Sequence, residues 1–133
     1  MIDPARVAAW SALFLGLFAI VSALGELRRP GSWRKMVSEI EHSPALQLVI
    51  GMVEFGGGIA LYLANGWNPQ DWLACIMKIV GGMMIIEAMV VAAFSDIYLH
   101  FWMRALGRDW RGWALVSLLL GAWMTIAGLW RLI

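Results

Sequence analysis

Four ionisable residues stand inside otherwise apolar runs of this chain: Glu54, Lys78, Glu87 and Asp96. A charged side chain at the middle of a bilayer costs about 2.5–3.5 kcal/mol on insertion scales, so a residue kept there has a use or a partner. Glu54 lies ten residues beyond Pro44, roughly 15 Å into a helix that starts at that proline. Glu87 lies seven residues before Phe94, roughly 10 Å in from that end. Adjacent antiparallel helices would bring the two carboxyls together. Two carboxyls in contact repel when both are ionised, so such a pair holds a proton between them, which is the chemistry of a relay. Lys78 and Glu87 are nine residues apart and fall on opposite sides of a helix. Lys78 is therefore expected to pair with Glu54 on a neighbouring helix or to extend to the outer interface. Against a proton- or cation-handling role stands the plainer one, in which the carboxyls are neutral packing residues or touch a partner subunit.

Gly56, Gly57 and Gly58 follow Glu54 closely. A broken helix there would expose carbonyls to an ion. With no proline present, close packing through small residues is the expected role, shared with Gly51, Gly81, Gly82, Gly121 and Gly128. Met77 and Met84, with Cys75 nearby, offer sulfur of the kind Cu(I) takes, but methionine is also an ordinary gap filler, and no metal or cofactor is expected. His42 and His100 sit near helix ends beside charged or aromatic residues, a poor setting for buried haem ligation. No nucleophile adjoins them and no hydrolase motif appears, so an enzyme is not expected. Arg28, Arg29, Arg34 and Lys35 form a basic cluster. It would meet anionic lipid headgroups at about 1 kcal/mol per residue, or simply fix the topology.

The elements that must hold these groups follow from the apolar content, 62% against 14% charged in 133 residues. A soluble domain of this size could not hide so much apolar surface. The spacing predicts spanning helices over about 5–25, 44–64, 72–96 and 112–132, each near the ~20 residues a bilayer requires. The first is read as a retained helix because no clean small-x-small cleavage site follows it. Residues 33–40 read as a short amphipathic helix on the membrane surface. A net charge of +1 gives no field for nucleic acid, and the single Cys75 excludes an intramolecular disulfide. The first and third linkers are basic and the middle one is neutral. By the positive-inside rule this puts both termini outside. Seven tryptophans near the predicted ends match the aromatic belts of a membrane protein.

The two halves resemble one another: the stretch from Gly16 is similar to that from Gly82, and Gly51 and Gly58 share their spacing with Gly121 and Gly128. The expected fold is an all-α integral membrane four-helix bundle of two similar helical hairpins, related about an axis along the membrane normal. At Pro30-Gly31-Ser32-Trp33-Arg34-Lys35-Met36, with Gly51, Gly57 and Gly58 in the next helix, residues 10 to 64 resemble the YjeT-like small bacterial inner-membrane proteins. Those are single hairpins of uncharacterised function. This chain departs from them in carrying Glu54 and a second hairpin. The resemblance implies a bacterial inner membrane and no reaction. The expected function is a structural or accessory subunit packed in a larger membrane complex. The alternative is a homo-oligomeric proton or cation channel or transporter. The expected partners are the lipid bilayer and either further copies or other membrane subunits.

Overall fold

The computed structural model describes residues 3–133, in which all regular elements are helices: α1 (Pro4–Arg28), α2 (Ser32–Glu41), α3 (Pro44–Ala64), α4 (Trp72–Arg108) and α5 (Trp110–Leu132). All but α2 are long and apolar enough to cross a membrane. Each of these four starts on a side chain that accepts from one of its first amides: Asp3 from Ala5, Ser43 from Leu46, Asp71 from Ala74 and Asp109 from Gly112, at 3.1–3.3 Å. Pro4 and Pro44 take the first turn, where no amide is needed. The third apolar run continues well past residue 96 into α4, which leaves helical geometry once, at Phe94 (φ −132°, ψ 41°).

The helices do not pack as two consecutive hairpins. α1 lies along α5, α3 lies along α4, and α1 also touches α4 through a core of Ala8, Ala12, Leu73, Ala74 and Met77. The reason lies in the linkers and the glycines. The segment carrying α2 separates α1 from α3, and the α4 extension carries the chain away before α5 begins, whereas the short link after Ala64 keeps α3 beside α4. Facing glycines let both pairs close. A Cβ on Gly16 would stand 2.6 Å from the Gly121 carbonyl oxygen, and one on Gly81 would stand 2.9 Å from that of Gly58.

The two pairs share one contact pattern. Gly121 meets Gly16, Ala19 and Ile20 as Gly58 meets Gly81, Met84 and Ile85, a constant shift of 65 positions from α1 to α4. Gly16 in turn faces Gly121 and Thr125 as Gly81 faces Gly58 and Tyr62. The same shift carries Arg29, where α1 leaves helical geometry, onto Phe94. This register differs by one residue from the Gly16–Gly82 likeness of the sequence and by seven from that of Gly51 and Gly121.

Of the glycines expected at helix contacts, Gly58, Gly81, Gly121 and Gly128 sit in tight ones, and Gly57 and Gly82 have only ordinary van der Waals neighbours. Gly51 and Gly56 have nothing within 4 Å of an added Cβ. Gly56 is two residues from Gly58 and so points to the opposite side of α3. Gly51 shares the face of Gly58 but lies two turns nearer the α2 end, where α3 and α4 have separated.

Candidate functional site

That separation opens a cavity of about 630 Å³ between α2, α3, α4 and α5. Glu54 of α3 and Glu87 of α4 both line it. Tyr98 and Trp102 of α4 and Trp113 of α5 form aromatic wall, and α2 contributes Trp33 and Met36. The Trp102 and Trp113 rings meet edge to face with centroids 4.9 Å apart. No lysine, arginine or histidine is among the lining residues.

The break at Phe94 is part of the site. Along an unbroken helix the Cα atoms of residues 87 and 98 would be about 16 Å apart, more than a glutamate and a tyrosine bridge. With the break, Tyr98 lines the same cavity as Glu87. On the other side, the shared contact pattern matches Glu54 with Ser117 and Glu87 with Ser22. Ser117 donates a 3.1 Å hydrogen bond to the Ala19 carbonyl across α1 and α5. Both helix pairs thus carry polar residues at the same level. Ser117 is bonded to the backbone of α1, while Glu54 and Glu87 face the cavity.

Lys78 is not part of this cluster. Its ammonium donates to the carbonyls of Tyr62 (3.0 Å) and Asn65 (3.3 Å) and lies 3.6 Å from the centre of the Tyr62 ring. It therefore covers the last carbonyls of α3, where a cation complements the helix dipole. Tyr62 is eight residues beyond Glu54, about 12 Å along the axis, so the lysine cannot neutralise the carboxyl. Asp96 and His100 are exposed on α4, and His42 is exposed with Nδ1 2.7 Å from the Ser38 carbonyl. Arg28, Arg29, Arg34 and Lys35 are all exposed at the α2 end, and Arg34 lies against Gly107 of α4.

Sequence reasoning missed Glu26, which lies in the last turn of α1 and is fully buried. Its carboxylate accepts from the Gly31 and Trp33 amides, both at 2.8 Å. Gly31 makes the turn with φ +94°, in the left-handed region open to glycine. A carboxylate followed at a few residues by Pro-Gly and a helix start was the available signal, since an anion fits the free amides of a helix N-terminus. Tyr98, Trp33, Trp102 and Trp113 were also missed as site residues, because aromatics near span ends read as interface anchors.

Four membrane-length helices around a carboxyl-lined cavity define a multi-pass membrane protein. The chain matches no family model, no curated protein and no solved structure.

Proposed function

We propose that this small multi-pass protein takes up protons or cations from the membrane at Glu54 and Glu87. The observation that carries the reading is the convergence of two carboxyls from neighbouring helices on one cavity whose lining holds no basic side chain. Each carboxylate left ionised at membrane depth needs a counter-ion or a proton. The basic α2 end is read as cytoplasmic, with both termini outside a bacterial inner membrane, on the charge of the linkers. Arg28, Arg29, Arg34 and Lys35 then face anionic headgroups. The shared register of the two helix pairs supports an internal duplication, with Glu54 and Glu87 as the specialised half. In vesicles loaded with a pH-sensitive dye, the protein should carry proton or cation flux. Glu54→Gln should abolish that flux while the protein still inserts and elutes as the wild type does. Flux that is absent from the wild type, or unchanged by Glu54→Gln, rejects the reading.

The accessory-subunit reading keeps one specific support. Gly56, Ala60 and Ala64 are exposed at four-residue spacing along α3, a small-residue face of the kind that accepts another transmembrane helix. Stoichiometric copurification of a different membrane protein in mild detergent would favour it. A self-association that Gly56→Leu disrupts would favour a homo-oligomer.

A further inference from the structure

We infer that the cavity takes a lipophilic organic monocation, such as a hydrophobic amine or a quaternary ammonium or phosphonium, in exchange for a proton on the carboxyl pair. The inference rests on the proton- or cation-handling reading of Glu54 and Glu87 and names the ligand class.

Size argues first. A volume of about 630 Å³ suits a drug-sized ligand and far exceeds a bare metal ion. Apart from the two carboxyls, Tyr98 and Ser117, the lining is apolar or aromatic, which suits an organic ion better than a hydrated one. Chemistry argues second. Trp33, Tyr98, Trp102 and Trp113 supply ring faces that attract a desolvated cation, and Glu54 and Glu87 supply its counter-charge. An anion of the same shape would meet two carboxyls and no base.

Access argues third. A separate groove of about 450 Å³ runs along α3 and α4 and is lined by Leu48, Met52, Phe55 and Met89. Gly51 and Val91 line both this groove and the cavity. Gly51 has nothing within 4 Å of an added Cβ, so between the two spaces the wall is thin where α3 lacks a side chain. A lipophilic cation dissolved in the membrane would enter there. The titratable groups facing Glu54 are Glu87 and Tyr98 of α4, and α1, α2 and α5 add none to the lining. Arrival of one cation releases one proton to the water, so the charge of the occupied site is conserved and binding tightens as pH rises.

The test uses the full-length protein in a neutral detergent. Tetraphenylphosphonium is titrated by calorimetry at several pH values, and tetraphenylborate serves as the anion of matching shape. Tetraphenylphosphonium should bind saturably, release a proton and bind more tightly at higher pH, while tetraphenylborate should not bind. Glu54→Gln and Glu87→Gln should each weaken it about tenfold or more through loss of the close charge pair. Gly51→Leu, which leaves both carboxyls in place, should slow or abolish entry. Equal binding of the two ions, or binding independent of pH and of both glutamates, overturns the inference and marks the space as a slot for lipid chains. If Glu54-dependent flux of protons or inorganic cations persists without any tetraphenylphosphonium binding, the ligand class is wrong and the proposed function stands. If neither depends on Glu54, both fall. The pH series on the wild type decides the matter even where a glutamate variant does not fold.

Discussion

The Glu26 carboxylate is bonded to the backbone of Trp33: one oxygen accepts from the Trp33 amide at 2.8 Å while the other accepts from Gly31 at the same length. A buried group at the end of α1 thereby fixes the start of α2 and the indole that α2 adds to the cavity wall. Glu26→Ala would leave two amides unpaired and remove a charge-assisted contact, at a cost of about 2 kcal/mol or more. The expected outcome is a lower unfolding midpoint in detergent together with faster tryptic cleavage after Arg34 and Lys35. Glu26→Gln, which keeps one good acceptor, should fall between. Wild-type cleavage rates in Glu26→Ala would show that α2 is held by its apolar face alone.

The glycines separate into two classes that a stability series would resolve. At Gly16, Gly58, Gly81 and Gly121 a methyl group would meet backbone atoms at 2.6–2.9 Å, so alanine there must push two helices apart. Overpacking of this kind costs about 1–3 kcal/mol. At Gly51 and Gly56 nothing is in the way, and alanine should gain about 0.5–1 kcal/mol in helix propensity. Thermal melts of Gly81→Ala and Gly56→Ala in the same detergent should therefore shift in opposite directions. A destabilising Gly56→Ala would mean that another helix occupies the outer face of α3.

How much of this could be read in advance depends on which force decides each feature. The spans were legible because the need to satisfy backbone amides in lipid leaves one solution per apolar run, and the second was placed at 44–64, where α3 runs Pro44–Ala64. The partners of each helix were not legible. Lipid and neighbouring helices are equally apolar, so no stripe of side chains tells one face from another. Gly51 and Gly58 look equivalent in sequence and differ only because α3 and α4 diverge between them. That Glu54 and Glu87 would line one space was legible from depth, since they fall at similar heights on neighbouring spans. Of the two expectations for Lys78, pairing with Glu54 is not seen; the side chain extends towards the outer end of α3, where its partners, the carbonyls of Tyr62 and Asn65, could not be named from height alone.

At the end of the bundle opposite α2, Arg131 and Asp71 form an ion pair at 2.6 Å, with the guanidinium also 5.5 Å from the Trp72 ring. Asp71 has a second task, accepting from Ala74 as the cap of α4. The two tasks can be separated. Arg131→Ala removes only the pair, worth about 0.5–1 kcal/mol for a partly exposed contact. Asp71→Asn keeps a capping oxygen and should match it. Asp71→Ala loses the cap as well, about 1 kcal/mol further. Unfolding in a graded detergent series should rank Asp71→Ala below the other two. Equal loss in all three would mean that the cap contributes nothing.

Ser117 and Glu54 hold corresponding places in the two helix pairs, and the serine bonds to the backbone of its neighbour where the glutamate faces the cavity. Glu54→Ser should therefore let α3 copy α5, its hydroxyl reaching the carbonyl of Met84 as Ser117 reaches that of Ala19. Removing a carboxyl from membrane depth also removes an insertion cost of about 2.5–3.5 kcal/mol. The variant is expected to melt higher than wild type and to have lost both flux and tetraphenylphosphonium binding. That pairing of gained stability with lost activity marks a residue kept for its charge. A variant less stable than wild type would instead make Glu54 a structural group whose contact with Glu87 holds α3 and α4 together.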